Sequence, residues 1–322
     1  MREMLQRAGA SASAASRPRR PTSRSIRISR FCLFFVLSGY VLSRGFMIDG
    51  DPARIWRAAL KRFPRLMLPV LASVLLAWVV LSTGGFHYGA VRPLSGAIMP
   101  DSFATPRSFL YALGEGSFGA FFAGEKALNP VLWSIGVELY GSFLVFALLL
   151  IFRRSRYRWL GYSAAALLLY DGYYLAFPIG MAIAALPTTA RRSWASVLLA
   201  LSGLALGSYP YYGASEGMWR WLPTPGAALP IVFYHTLGAG LLLLAVLMAP
   251  ARVRLDQPVL RFLGRISYGL YLIHFTVLAA LSTWLVLRLE PSFGYLPAIL
   301  CAFGLTMAGA APGGLRLHPP CG

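Results

Sequence analysis

The chain is built from apolar runs close to the thickness of a bilayer, set apart by short arginine-rich stretches, and this alternation constrains it more than any single motif. Crossing a hydrocarbon core takes roughly 20 apolar residues as a helix. Within lipid every backbone polar group must be bonded inside the protein, which leaves helices or a closed barrel. About nine runs fit helical crossings, at residues 31–48, 66–82, 130–152, 159–170, 173–187, 194–208, 228–249, 266–287 and 293–311. The fourth and fifth meet at Asp171-Gly172, a turn signal, and read as a tight hairpin. The expected fold is therefore an all-α integral membrane protein, a multi-span bundle with about nine transmembrane helices in a lipid bilayer.

Composition closes off the soluble alternatives. Hydrophobic residues make up 57% of the 322 and charged residues only 13%, more apolar surface than a soluble core of this size can hide. The net charge of +19 does not indicate nucleic acid, because the basic residues lie mostly between apolar runs. Arg153, Arg154, Arg156 and Arg158, or Arg191 with Arg192, follow the ends of runs, as in cytoplasmic loops. Taking these, 54–65 and 252–265 as cytoplasmic makes the spans between them alternate consistently. Residues 83–129 and 209–227 then fall outside as loops, with Tyr211, Trp219 and Trp221 at headgroup level and acceptor specificity expected in both loops. Lys61 and Lys126 are the only lysines among 30 basic residues, a bias that fits a GC-rich bacterial genome. Cys32, Cys301 and Cys321 have no ligand-type spacing, so neither a disulfide framework, a metal site nor a tightly bound cofactor is indicated.

Both ends break the pattern. The first run must start outside to end at the cytoplasmic arginines near residue 54, yet residues 1–30 form a basic Ser/Ala/Pro/Arg tail that reads as disordered. A preceding helix is expected to be missing, and residues 309–322 turn abruptly to Gly and Pro, as a frameshift at each end would produce. The expected organisation is a tail at 1–30, a membrane domain at 31–308 and an irregular tail at 309–322.

Four segments carry candidate chemistry. FFVLSGY at 34–40 sets Ser38 and Gly39 among bulky residues, where small side chains let helices approach or line a cavity. KRFPRLMLP at 61–69 puts Arg62 and Arg65 on one helical face before a span. Such a pair is a positive-inside anchor or, functionally, a fork for an anionic phosphate donor. NPVLWSIGVELY at 129–140 carries Glu138 about two turns into a span, where an ionisable group is costly and marks function or an ion pair with an arginine that locks the bundle. Trp133 and Ser134 precede it. FLGRISYGLYLIHFTV at 262–277 stacks Tyr268, Tyr271 and His274 along one helix face as a core, a cavity wall or a hydrogen-bond relay.

Taken in order, FFVLSGY, Arg-x-x-Arg with a following Pro, WSIGVELY and GRISYGLYLIH resemble the acyltransferase-3 family of bacterial membrane O-acyltransferases, over residues 31–306. The family's Phe-x-x-Gly-like helix matches Phe177 to Gly180. The resemblance implies a multi-pass protein of the bacterial inner membrane. It implies acyl transfer, commonly of acetyl from cytoplasmic acyl-CoA as co-substrate, to a hydroxyl of an extracytoplasmic glycan, cell-envelope polymer or glycosylated small molecule. On this reading Glu138 and His274 are the catalytic candidates and Arg62 and Arg65 bind the donor. Ser38, Gly39, Trp133, Ser134, Tyr268 and Tyr271 line the cavity or acceptor side. The chain departs from the family where members open with a helix bearing an Arg and, about three turns later, a His, and where they close on a Glu-Lys/Arg-Pro-like motif. Two other readings therefore stand beside the enzyme: a non-catalytic relative, and a transporter using Glu138 and His274 as a proton relay.

Overall fold

The computed structural model describes residues 23–95, 105–152, 155, 157–187, 193–210, 217–222, 230–250 and 257–309. Every regular element among them is helical. In chain order these are α1 (Ser23–Asp49), α2 (Pro52–Ser82), α3 (Tyr88–Ser95), α4 (Phe109–Gly114), α5 (Trp133–Phe152), α6 (Arg158–Leu168), α7 (Ala176–Ala185), α8 (Ser193–Gly207), α9 (Pro230–Leu247), α10 (Pro258–Val277), α11 (Thr283–Phe293) and α12 (Tyr295–Gly309). A π-helical turn, Glu115–Ala123, continues α4, and another, Leu278–Ser282, joins α10 to α11.

Five stretches are long and apolar enough to cross a membrane: Arg30–Asp49, Pro52–Ser82, Pro130–Phe152, Pro230–Leu247 and Pro258–Phe293. They correspond to five of the nine expected crossings. The runs at 159–170, 173–187, 194–208 and 293–311 form shorter helices instead. The 11 residues of α6 rise only about 16 Å, roughly half a hydrocarbon core. The hairpin expected at Asp171 is present, with α6 and α7 packed together. Residues 83–129, expected as a loop, contain α3, α4 and the first π turn. The first helix begins at Ser23, inside the stretch read as a tail. Residues 1–22 and 310–322, with Arg153, Arg154, Arg156, Arg191, Arg192, Tyr211 and Cys321, lie outside the described residues.

The chain divides into two units, residues 1–50 with 147–251, and residues 51–146 with 252–322. In the first, α1 packs on α7 and α9, and α9 packs on α8. The contacts are made by missing side chains. A Cβ at Gly39 would overlap the Phe177 carbonyl oxygen, and one at Gly180 the Val36 carbonyl oxygen. Gly203 and Gly238 face each other the same way, a Cβ on Gly203 falling 2.9 Å from the Gly238 oxygen. Where lipid supplies no hydrophobic drive between helices, close backbone approach maximises van der Waals contact. Phe35 fills the remaining space against Tyr173 and Phe177.

In the second unit, α2 starts on an Asp51 cap that accepts from the Ala53 N–H, with Pro52 at the first helical position. Its Leu66, Val70, Val74, Ala77 and Leu81 form one buried stripe with Phe121, Leu128, Leu132, Ile135, Leu139 and Leu272. The π turn carries Phe118, Phe121 and Phe122 around Phe63.

If backbone contact locks the first unit, Gly180→Ala is expected to cost about 1–3 kcal/mol by overpacking, read as a lower unfolding midpoint in detergent. Gly264→Ala in α10, with open space around it, is expected to gain up to about 1 kcal/mol from helix propensity. Equal effects of the two substitutions would refute this account.

Candidate functional site

The polar residues of the second unit converge on one face of α5. Ser134, Glu138 and Ser142 stand at i, i+4 and i+8, and therefore in one row. Arg62 of α2 meets the lower part of the row: its guanidinium bonds and pairs with the Glu138 carboxylate, and its Nε donates to Ser142 Oγ at 2.8 Å. The two side chains are only 14% and 5% exposed, so the charges neutralise each other away from solvent. Ser142 Oγ in turn donates to the Glu138 carbonyl. Glu138 is thus the acid that needed a partner, and Arg62 supplies it.

The upper part of the row belongs to α10. Tyr271 Oη lies 2.7 Å from Ser134 Oγ and also donates to the Val131 carbonyl. Since Tyr271 uses its proton on Val131, the Ser134 hydroxyl is the donor between the two. Tyr268, one turn earlier, packs on the same buried stripe, reaches the Leu66 carbonyl at 3.5 Å, and lies close enough to Glu138 and Arg62 to feel both charges. Three helices therefore share one polar cluster inside apolar walls.

His274 is half-buried, and its Nδ1 sits 2.5 Å from the Tyr271 carbonyl oxygen. A carbonyl only accepts, so Nδ1 is the donor in this contact. Its ring centroid is 5.8 Å from that of Tyr271.

The other sequence candidates separate. Arg65 is exposed, whereas Arg62 one turn earlier is only partly so. Trp133 is half-buried at the start of α5. Gly39 lies in the first unit at the seam with Phe177, and Ser38 beside it is half-buried.

Two residues that support the cluster escaped the sequence reading. Asn129 is fully buried; its side chain caps the turn leading into α5 and its Nδ2 donates to the Leu272 carbonyl at 2.8 Å. That bond ties the entrance of α5 to α10 beside Tyr271. Glu115, also fully buried, accepts from the Ala127 and Leu128 N–H groups at 3.1 and 3.0 Å, which fixes the segment running into Asn129. Burial pushes its carboxyl above the ordinary value of 4.5, against the opposing pull of those amides. An acid inside the apolar 109–123 run was the available signal.

Removing one member of the Arg62–Glu138 pair leaves a buried charge, so Arg62→Met is expected to cost about 3–5 kcal/mol. The double variant Arg62→Met/Glu138→Leu is expected to recover most of it. Unfolding midpoints of the three proteins in detergent check this, and a double variant as weak as the single one would show that the pair is not the source. For Glu115, a folded pKa above the unfolded one gives stability that is complete below the unfolded value and lost as pH rises through the folded one. The unfolding midpoint in detergent is therefore expected to fall as pH rises above about 4.5, and Glu115→Gln is expected to flatten that dependence.

Comparison with known proteins places this architecture. A family model described as an acyltransferase domain, that of the acyltransferase-3 family, matches residues 18–313. The chain is similar to "Acyltransferase R4" of Phoma sp., 27% identical over 310 residues, covering 76% of this chain and 66% of that protein's length. No solved structure matches. The motif order, the apolar helices and the family match agree: this multi-pass membrane chain belongs to the acyltransferase-3 family, whose members transfer acyl groups other than aminoacyl ones.

Proposed function

We propose that the chain is an O-acyltransferase that moves an acyl group, acetyl in the simplest case, from acyl-CoA to a hydroxyl of a glycan, cell-envelope polymer or glycosylated small molecule at a bacterial inner membrane. The observation that supports this reading is a histidine whose ring lies beside Tyr271, itself bonded to Ser134, in the unit that holds the Arg62–Glu138 pair. Nε2 of His274 takes the acceptor's hydroxyl proton as its oxygen attacks the thioester carbonyl. The C–S bond breaks, the CoA thiolate leaves, and it recovers the proton, giving the ester and free thiol. Ser134 and Tyr271 orient the acceptor. Glu138 holds Arg62 in place beside them, and exposed Arg65 is available for the donor's phosphates.

A proton-relay transporter fits less well, because Glu138 is already committed to Arg62 and Arg62 to Ser142. Membranes containing the chain are incubated with radiolabelled acetyl-CoA, and label is counted in the glycan and lipid fractions. His274→Gln is expected to lower transfer by about 10²–10⁴-fold, and Glu138→Gln to lower it by releasing Arg62, both with normal membrane insertion. Arg65→Ala is expected to raise the donor KM with little change in kcat. No label above that of membranes lacking the chain would sink the enzyme reading, and full activity of Glu138→Gln would remove that residue from it.

A further inference from the structure

The first unit contains a cavity of about 660 Å³ that none of the chemistry above uses. It lies where four helices end or begin: the last turns of α1, α5 and α7, and the first of α6. Since α1 and α5 are both long enough to span, their shared end marks a membrane boundary, and the cavity opens at headgroup level. Its polar lining is two arginines and a phenol. Arg44 spends one N–H on the Ala184 carbonyl at 3.2 Å, capping α7, and has four more to offer. Arg158 approaches from the start of α6, whose first turn has no side-chain cap and whose Arg158 N–H bonds the Ser155 carbonyl, so that the positive end of the helix dipole faces this side. Tyr162 stands one turn further along α6. Leu149, Phe152 and Leu186 supply apolar wall, and among the described residues no acidic side chain lines the space.

We infer that this cavity holds the headgroup phosphate of an anionic phospholipid. Two guanidinium forks and a helix N-terminus suit a phosphate oxyanion. The apolar wall, made by the ends of spanning helices, suits the upper acyl chains of a lipid still anchored in the bilayer, and basic pockets between spanning helices take such headgroups. The inference does not depend on the catalytic reading. The competing source of the same chemistry is the phosphate end of a soluble CoA thioester.

The full chain in neutral detergent is titrated with phosphatidylglycerol or phosphatidylcholine, and bound lipid is counted by native mass spectrometry. Phosphatidylglycerol is expected to bind more tightly, and Arg44→Gln and Arg158→Gln each to weaken it about fivefold. Free CoA is expected not to displace it. Arg158 is exposed at the surface, so Arg158→Gln keeps the test decisive if Arg44→Gln, which loses the Ala184 bond, fails to fold. Equal binding of the two lipids, or no effect of Arg158→Gln, overturns the inference. So does displacement of phosphatidylglycerol by CoA, which would assign the cavity to the soluble donor.

Discussion

The Arg62–Glu138 pair is the constraint on which the second unit turns. Either charge alone, held among apolar helices, costs several kcal/mol of desolvation; together they cancel, but only while α2 and α5 keep one register. A slip of one residue along either helix would rotate a partner by about 100° and leave two uncompensated ions. The neighbouring polar contacts then follow with little freedom. Ser142 receives the Arg62 Nε because it is one turn from Glu138, and Ser134 meets Tyr271 because it is one turn the other way. The pair contributes little net attraction; it makes every other register expensive.

This explains how a polar cluster can form in a medium that disfavours polar groups. Each hydroxyl in the row bonds another protein atom before any ligand arrives, so Ser134, Ser142 and Tyr271 are oriented in advance. His274 has its tautomer set by its own helix, through the Tyr271 carbonyl. The same carbonyl-to-ring contact holds the imidazole edge at a fixed angle. Orientation of this kind lowers a barrier without adding binding energy to the ground state.

Much of this was readable in the residues, and the remainder was lost for identifiable reasons. Glu138 stood out because an acid inside an apolar run is costly wherever the helix goes, and an arginine partner was foreseen as one of its two roles. Which arginine could not be read, since Arg62 is 76 positions away and helical periodicity carries no information across a loop. The α10 motif showed its face because Tyr268, Tyr271 and His274 repeat every three residues. The 83–129 segment reads as loop from the placement of the arginines, which fixes the side on which a segment falls and not its local conformation; EGSFGAFFA within it forms a π-helical turn. Four of the nine runs form shorter helices, because hydropathy registers apolar length and not where the helix stops.

The glycine seams of the first unit have a consequence for how such a chain can change over time. A contact formed by backbone atoms, as at Gly39 with Phe177, Gly180 with Val36 and Gly203 with Gly238, specifies a few absences and leaves the surrounding side chains unassigned. Exposed positions of α8 such as Leu198, Leu201 and Leu204 need only remain apolar. Drift at most sites is then nearly neutral, while substitution at a handful is costly. A scaffold of this kind can travel far in sequence with its helix arrangement intact, leaving loops and surfaces free to be fitted to new acceptors.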